Sequence, residues 1–183
     1  MKIVLAIGGA SGSIYGIRLY EELIKSDVEV HLVVSKDAKK IIEHETDKTF
    51  EYFKKQASFL YENDDLFSPI ASGSFKIDGM IAAPCSMKTL SSIANGYGNT
   101  LISRAASCCL KEGKKLILVI RETPLDLPGI RNMLSVKESG AIVLPAMPAF
   151  YHKPVNIDEL VNFIVGKVLD QFNFNHTLYK RWK

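Results

Sequence analysis

Glycine and hydroxyl residues follow two apolar segments of the chain, each just before a segment with helical periodicity. They form the stretches IGGASGSIYG at residues 7–16 and PCSMKT at residues 84–89. At a helix N-terminus, unpaired backbone N–H groups and the helix dipole favour an anion or a polar ring edge. The two stretches therefore predict an anion-binding crevice or, more simply, strand-to-helix turns in which Ser11 or Ser13, and Ser86, cap the helices.

The first stretch fits neither of two familiar phosphate-binding loops. A dinucleotide fingerprint starting at Gly8 would need glycine where the chain has Ala10 and Ser13. A Walker loop would need a Gly-Lys pair followed by Ser or Thr, which this stretch lacks. After the next apolar segment, Ser35 stands where a nicotinamide enzyme usually has an acidic residue for the adenine ribose. These features favour a ligand without a second nucleotide half, such as FMN, with helix capping as the alternative role of Ser35.

Charged and aromatic residues follow the later apolar segments. Arg121 and Glu122 form a pair that can bind a phosphate and donate a proton to it, with a simple loop ion pair as the alternative. Tyr151 can hydrogen-bond a phosphate, whereas the neighbouring His152 is of a type that is more often structural. Cys85 has no histidine near it in sequence, so we expect it to serve as a small packing residue.

The composition indicates one globular domain and excludes several classes of protein. A chain of 183 residues with 47% hydrophobic and 23% charged residues is long enough to form a core of its own. A formal net charge of +3 and scattered lysines favour a phosphorylated small molecule over nucleic acid as the anionic partner. The three cysteines have neither a disulfide pattern nor zinc-ligand spacing. Without a signal sequence or a long apolar run, the expected location is the cytoplasm.

Short apolar segments alternate with helical segments along the chain. Strands that are apolar on both faces are typical of parallel sheets covered by helices. The pattern predicts an α/β fold, a three-layer, doubly wound, Rossmann-like sandwich with a mainly parallel sheet. The predicted strands are residues 2–8, 28–34, 79–84, 115–120 and 141–146.

The helical pattern is clear in some regions and weak in others. Asn156 is the predicted cap of the last long helix, with Glu159 reaching back to the chain before it. Residues 46–77 have weak periodicity and are not assigned to elements. Residues 173–183 are a predicted C-terminal tail of a single domain spanning residues 1–183, lying in solvent or folded onto the rest. The predicted helices are residues 12–25, 86–95, 100–111 and 156–172.

Eight short motifs are spread over essentially the whole chain. They are GASGSIYG (9–16), ETD (45–47), ASGSF (71–75), PCSMKTLS (84–91), SRAASCCLKE (103–112), RETPL (121–125), GAIVLPAMPAFYHKP (140–154) and RW (181–182). Their order and spacing resemble those of the flavin prenyltransferases called UbiX, a family long labelled as 3-polyprenyl-4-hydroxybenzoate or phenolic-acid decarboxylases. No single motif is diagnostic, but the set is highly specific.

The resemblance implies a flavoprotein fold and a metal-independent transferase. Members of the family join a dimethylallyl group from dimethylallyl monophosphate to reduced FMN at N5 and C6, which forms a fourth ring. The product, prenylated FMN, is the cofactor of UbiD-type decarboxylases, and such an enzyme is the implied recipient. Family members are homo-oligomers, commonly dodecamers, so a homododecamer is implied for this chain.

The resemblance also implies roles for individual residues. Catalysis falls to Ser11, Glu45 and Glu122, with Glu122 steering protons at the leaving phosphate. Trp182 would close the prenyl pocket. The residues implied to bind FMN are Gly9, Ala10, Ser11, Ser35, Ser86, Met87, Lys88, Thr89 and Arg121. Those implied to bind the prenyl phosphate are Tyr151 and Lys167, helped by Arg104 and Lys111.

Lys167 departs from the pattern of the family, which often has arginine at this position. Lysine keeps the positive charge but loses the bidentate fork. Cleaving an allylic phosphate builds negative charge on the phosphate and positive charge on a five-carbon fragment, so basic groups must face one end and aromatic or apolar surface the other. Because the basic residues are remote in sequence, a meeting within one chain and a meeting across a subunit boundary both stay open.

Two other functions stay open at this stage. An FMN-dependent cysteine decarboxylase has a similar fold and flavin loop, but its PxMNxxMW signature is absent and residues 131–135 read RNMLS. A non-catalytic subunit that stores or delivers flavin would need the binding loops but not Glu45, Glu122 or the prenyl-phosphate residues. The presence of these residues favours catalysis.

Overall fold

A parallel β-sheet forms the centre of the computed structural model, which describes residues 1–26 and 28–182. Its strands are β1 (Lys2–Ile7), β2 (Glu29–Val34), β3 (Phe59–Glu62), β4 (Gly79–Cys85), β5 (Lys115–Ile120) and β6 (Ile142–Pro145). Their order is β3-β2-β1-β4-β5-β6, and every neighbouring pair is parallel. The predicted doubly wound α/β fold is confirmed.

Helices cover both faces of the sheet. They are α1 (Ser13–Ile24), α2 (Lys36–Glu45), α3 (Phe50–Gln56), α4 (Met87–Ala94), α5 (Leu101–Lys111), α6 (Leu127–Glu138) and α7 (Ile157–Gln171), with a 3₁₀ turn at Pro69–Ala71. Side chains of a strand alternate between the faces, so Leu5 packs in the core beneath α1 and α7 while Val4 and Ala6 pack in the core beneath α4 and α5. The sheet therefore separates two helical layers, each with its own apolar core.

The chain changes its winding direction between β1 and β4, which lie side by side at the centre of the sheet. Ligands in open α/β sheets bind beyond the strand ends at such a switch point. The backbone N–H of Gly8 donates to the carbonyl of Pro84 at 3.0 Å, so the loops after the two strands are joined there. A Cβ on Gly8 would lie 2.5 Å from the same oxygen, so this approach requires glycine.

The edge strand β3 and helix α3 fall in the region that the sequence left unassigned. β3 is held by polar and aromatic contacts to β2 rather than by an apolar run. Buried His31 bonds Tyr61 Oη through Nδ1 at 2.9 Å and Glu29 through Nε2 at 2.8 Å, and its ring stacks on Phe59. Periodicity of apolar residues alone cannot reveal a strand of this kind.

The C-terminal segment, residues 173–182, folds back onto α7. A Cβ on Gly166 would lie 2.6 Å from the ring of Tyr179 and 2.7 Å from that of His176, so both rings rest on the helix backbone. The segment was expected either to lie in solvent or to fold onto the rest of the protein, and the second arrangement is observed. Lys183 lies outside the described residues. In the described part of the chain, no helix has the length and apolar character needed to cross a membrane.

Candidate active site

A cleft of about 540 Å³ lies at the carboxyl ends of β1, β2 and β4, at the switch point. Its volume falls within the range of small-molecule and cofactor sites, which is roughly 300–1,000 Å³. We call it the strand-end cleft; its lining residues are Gly9, Ser35, Lys36, Asp37, Asn63, Ser86, Lys88, Thr89, Ser92, Tyr97, Asn99 and Thr100. Five of the residues predicted to bind FMN thus line this cleft, from three separate loops.

Two helices begin at the strand-end cleft, and a serine caps each of them. Ser35 Oγ accepts the backbone N–H of Ala38 at 3.1 Å, and Ser86 Oγ accepts that of Thr89 at 3.2 Å. The capping alternative for both serines is therefore correct, and the crevice is present as well. Both helix N-termini bring partial positive charge to the same cleft.

The backbone of the first loop comes close to α2 in the strand-end cleft. A Cβ on Gly9 would lie 2.7 Å from the Cβ of Asp37, so any larger residue at this position would collide with α2. Hydroxyl groups, helix N-termini and a bare glycine backbone are the groups that suit a phosphate and the edge of a planar ring. These residues fit FMN.

The charge of Lys88 does not act alone in the strand-end cleft. Its Nζ lies 3.6 Å from Asp37 Oδ2, and both side chains are largely exposed. An exposed pair of this kind is weak, so Lys88 can exchange partners readily. The sequence suggested the cation but not its acidic neighbour.

Asn63 and Thr100 also line the strand-end cleft, and neither was among the predicted site residues. Asn63 Oδ1 accepts the backbone N–H of Ile102 at 3.1 Å, and Thr100 caps α5 by accepting the N–H of Ser103 at 3.3 Å. Asn63 follows the unassigned strand β3, so its place in the sheet could not be foreseen. Thr100 could have been found as the cap of the predicted helix.

Glu45 caps helix α1, although it lies at the end of a different helix. Its carboxylate accepts the backbone N–H of Gly12 at 3.0 Å, the N–H of Ser13 at 2.9 Å and the Ser13 hydroxyl at 2.8 Å. Gly12 has a φ of +92°, which glycine adopts without strain. The alternative in which Ser11 or Ser13 caps the helix is therefore wrong, because the cap comes from Glu45.

The same contacts keep Glu45 ionised. Burial by itself raises the pKa of this carboxyl, but hydrogen bonds from the hydroxyls of Ser11 and Ser13 and from the backbone N–H groups of Ser13 and Gly12 outweigh it. The net pKa lies below the usual value. Ser11 and Glu45, two of the predicted catalytic residues, are thus neighbours.

Arg121 joins this group from the end of β5. Its Nε–H donates to the carbonyl of Ser11 at 3.0 Å. It also faces Tyr15, whose pKa is raised by burial and lowered in part by the charge of Arg121. The next residue, Glu122, is exposed, and its Oε1 accepts the N–H of Thr123 at 3.2 Å. The structure therefore brings the predicted catalytic residues and Arg121 to the ends of β1 and β5.

Four of the predicted FMN residues do not line the strand-end cleft: Ser11 and Arg121, described above, and Ala10 and Met87. Ala10 is 7% exposed and belongs to the buried core. The end of the Met87 side chain packs towards α6, where a Cβ on Gly129 would meet its Cε at 2.5 Å. These two positions can offer backbone groups to a ligand, but their side chains serve packing.

The predicted prenyl-phosphate residues fall into two groups. Tyr151 and Trp182 meet edge to face, with ring centroids 5.2 Å apart, and Tyr151 packs on Phe163 of α7. Lys167 also belongs to α7, and its Nζ lies 3.9 Å from Asp170. These three predicted residues lie on the α1–α7 side of the sheet.

Arg104 and Lys111 lie on α5, which covers the opposite face of the sheet. Arg104 Nε–H donates to the carbonyl of Ala71 at 2.9 Å, and Lys111 Nζ lies 3.9 Å from Glu112. One chain therefore does not bring the two groups together. Of the two arrangements that the sequence left open, the geometry favours contact across a subunit boundary.

Cys85 and His152 make structural contacts. Cys85 is fully buried, and burial raises the pKa of its thiol to about 12, so it is not a nucleophile at neutral pH. The ring of His152 stacks on Phe163 with planes 4° apart. Cys85 agrees with its expected packing role, whereas both ring nitrogens of His152 are buried and have no hydrogen-bond partner among the described residues.

Comparison with known proteins identifies the family. The family model described as Flavoprotein matches residues 1–169. A flavin prenyltransferase UbiX from Methanocaldococcus jannaschii is 51% identical over 182 residues, which cover 100% of this chain and 98% of the relative. The chain belongs to the UbiX family of flavin prenyltransferases. The resemblance seen in the motifs is confirmed.

Solved UbiX structures share the fold closely. AnUbiX (PadA1), crystallised in complex with FMN and dimethylallyl pyrophosphate, has a TM-score of 0.97 at 43% identity, covering 100% of this chain and 97% of that chain. A dodecameric FMN-dependent UbiX-like decarboxylase from Escherichia coli O157:H7 has a TM-score of 0.97 at 44% identity, with both chains fully covered. The fold of this chain thus matches these two solved structures over its full length.

A cysteine decarboxylase is much less similar to this chain in both sequence and structure. The FMN-dependent cysteine decarboxylase TvaF has a TM-score of 0.64 at 16% identity, covering 78% of this chain and 88% of that chain. Similarity at this level of sequence identity shows a common fold and no more. It gives the alternative of cysteine decarboxylation no support beyond a common scaffold.

Proposed function

We propose that this chain is a flavin prenyltransferase that joins a dimethylallyl group from dimethylallyl monophosphate to reduced FMN. The observation that carries the proposal is full-length similarity to UbiX enzymes, among them a structure in complex with FMN and dimethylallyl pyrophosphate. The product would be prenylated FMN, and a UbiD-type decarboxylase would receive it. The reaction class is a prenyl transfer without a metal ion.

The strand-end cleft is the proposed FMN site. The N-termini of α2 and α4, capped by Ser35 and Ser86, would face the phosphate, and the Gly9 backbone would pass close to the ligand. Reduced FMN supplies nucleophilic ring atoms for the transfer. The task of the chain is to fix the orientation of this ring relative to the prenyl donor.

The group at the ends of β1 and β5 is the proposed catalytic centre. Glu45 is held ionised beside Ser11, so it can stabilise positive charge on the five-carbon fragment as the C–O bond breaks. Arg121 is fixed against the same loop and can face the flavin. Glu122, which is exposed, is the proposed group that transfers protons at the leaving phosphate.

The prenyl-phosphate site is proposed to form between copies of the chain in a homododecamer. Arg104 and Lys111 lie on one face of the sheet, and the other predicted phosphate residues lie on the opposite face. The exposed apolar face of α6 supports an assembly, because large uncovered apolar surface is uncommon on a monomer. Its residues are Leu127, Ile130 and Leu134. The free cysteines suit the reducing cytoplasm, which is the proposed location.

Anaerobic incubation with reduced FMN and dimethylallyl monophosphate tests the proposed reaction. We expect mass spectrometry of the released flavin to give FMN plus one dimethylallyl unit. Parallel incubation with dimethylallyl pyrophosphate identifies the preferred donor. Unchanged flavin mass with folded, FMN-loaded protein would reject prenyl transfer and favour a flavin-delivery role.

A single substitution separates binding from chemistry. Glu122→Gln is isosteric but cannot exchange a proton at the phosphate, so we expect FMN binding to persist and product formation to slow by about 10²-fold. Glu51→Gln, an exposed residue of α3 that pairs with Lys54, is the matched control and should behave like the unsubstituted protein. Loss of FMN binding in Glu122→Gln would mean that this residue has a structural role instead.

A further inference from the structure

The last turn of α7 carries a carboxylate with several partners from the C-terminal segment. Arg181 Nη2 lies 2.6 Å from Asp170 Oδ1 and Nη1 lies 3.1 Å from Oδ2. The Tyr179 hydroxyl donates to Oδ2 at 2.6 Å, and His176 Nε2 bonds Oδ1 at 3.0 Å. We call Asp170, His176, Tyr179 and Arg181 the Asp170 cluster. Both carboxylate oxygens are saturated, and the arginine contact is bidentate.

The Asp170 cluster is built into the fold rather than spread on the surface. The side chain of Asp170 is 17% exposed and that of His176 is 5% exposed. Tyr179 and His176 lie so close to Gly166 that a methyl group there would collide with both rings. A half-buried network with this geometry is worth more than an ordinary surface ion pair.

The end of the C-terminal segment depends on this cluster for its position. Trp182 is 76% exposed, so burial does little to fix it. The neighbouring residue, Arg181, is bound to Asp170. The ring of Trp182 meets the ring of Tyr151 edge to face. Asp170 also lies 3.9 Å from the ammonium group of Lys167. One carboxylate thus contacts both Lys167 and the segment that ends at Trp182.

We propose that Asp170 is a positioning residue for the prenyl-donor end of the active site, because it anchors the C-terminal segment and keeps Trp182 against Tyr151. The same carboxylate lies 3.9 Å from the ammonium of Lys167, another predicted prenyl-phosphate residue. This proposal rests on the proposed function for the identity of the donor. It predicts that loss of Asp170 weakens donor binding while the strand-end cleft, on separate loops, still binds FMN.

The chain offers a direct probe of the segment, because Trp182 is its single tryptophan. In the FMN-free assembly, Asp170→Asn should lower the fluorescence anisotropy of Trp182, because this already exposed ring would lose the anchor that limits its motion. The KM for dimethylallyl monophosphate should rise about tenfold, the effect of losing one charge-assisted hydrogen bond, with FMN affinity unchanged. Glu51→Gln is the matched control, because it removes an exposed ion pair with Lys54 far from the segment.

A second variant keeps the test valid if Asp170→Asn is poorly folded. Arg181→Gln removes the partner at the surface and should cause the same rise in donor KM. The double variant should be no worse than Asp170→Asn alone, since Arg181 acts through its contact with Asp170. Unchanged Trp182 anisotropy and unchanged donor KM in both single variants would overturn the proposal. Parallel loss of FMN affinity and of circular dichroism in both would also overturn it, since the role would then be structural.

The two proposals fail in different ways. If the unsubstituted protein makes no prenylated flavin, the proposed function fails, and the fluorescence measurements still decide whether Asp170 holds Trp182 in place. If prenylated flavin forms but neither variant changes donor KM, the positioning role fails alone.

Discussion

The carboxylate of Glu45 stabilises a helix and also belongs to the proposed catalytic centre. It reaches the N-terminus of α1 from the C-terminus of α2, 33 residues away in sequence from Gly12. The cap fixes the loop that carries Ser11, so the geometry of the catalytic centre depends on it. Sequence could place Ser35 and Ser86 at their helix starts, because capping by those residues is local. It could not reveal a cap supplied by a distant residue.

Glu45→Gln should reduce both stability and activity. The amide keeps one acceptor oxygen but presents N–H groups towards the N–H groups of Gly12 and Ser13. We expect the free energy of unfolding to fall by about 1 kcal/mol, as for loss of a helix cap. Urea unfolding followed by circular dichroism measures this change. Glu43→Gln, exposed on the same helix, should leave stability unaltered. Full stability with lost activity in Glu45→Gln would limit the role of Glu45 to chemistry.

Helix α1 packs unusually close to the sheet at Gly16. A Cβ at this position would lie 2.3 Å from the carbonyl oxygen of Ala83 and 2.9 Å from Ile7 Cγ1. The approach sets the distance between the first loop and the end of β4, and residues that follow both strands line the proposed site. Glycine in the middle of a helix usually costs stability, and here it permits this packing.

Gly16→Ala should therefore destabilise the fold despite the better helix propensity of alanine. Because the obstacle is backbone, α1 must shift, and we expect a loss of about 2 kcal/mol, typical of overpacking. Thermal unfolding with loss of FMN affinity is the measurement. At Gly98 a Cβ would make ordinary contacts, the nearest at 3.7 Å, so Gly98→Ala should be close to neutral. Equal behaviour of the two variants would mean that α1 adjusts without cost.

The contribution of the Asp170 cluster should depend on pH. Burial alone raises the pKa of Asp170, but hydrogen bonds from Arg181, Tyr179 and His176 outweigh it and hold the pKa well below its usual value. A carboxyl with a lowered pKa in the folded state stabilises the protein above its unfolded pKa, which is about 4, and loses this effect as the pH falls further.

The difference in free energy of unfolding between the unsubstituted protein and Asp170→Asn should thus be fully present at about pH 5 and shrink as the pH falls below about 4. Urea titrations at a series of pH values measure it. Glu51→Gln provides the reference for general acid effects. A difference that stays constant down to about pH 3 would mean that the charge of Asp170 is not what holds the cluster.

At the level of elements, the sequence was most informative where burial alone sets the pattern. The central strands and α7, capped by Asn156, match their predictions because apolar residues on both faces and a local cap are enough to define them. The edge strand β3 was missed because His31 and its aromatic partners hold it. The docking of residues 173–182 depends on Gly166 and Asp170, and these contacts have no signature in a linear pattern.

In the whole molecule, the sheet separates residues that one reaction would need together. Arg104 and Lys111 lie on the α5 side, and Tyr151, Lys167 and Trp182 lie on the α7 side. Sequence similarity predicted both groups and left open a meeting across a subunit boundary, and the arrangement of layers favours the proposal that separate chains supply them. Shared sites of this kind make assembly a condition of activity.

Mixing two inactive variants tests this arrangement. Lys111→Ala and Lys167→Ala should each lower the rate of product formation, and co-assembly of the two should restore part of it. If two chains each supply one of these residues, about a quarter of the sites in an equal mixture contain both lysines. Each variant assembled alone is the control. If both lysines came from one chain, no site in the mixture would be complete and no recovery would be seen.

The burial of all three cysteines has a further chemical consequence. An allylic phosphate is an alkylating agent, and sulfur is the side-chain atom that such carbon electrophiles attack most readily. Cys85 adjoins the strand end where the flavin is proposed to bind, yet its sulfur points into the core, and Cys108 and Cys109 are also buried. The enzyme can therefore hold a reactive carbon donor through many turnovers without modifying itself.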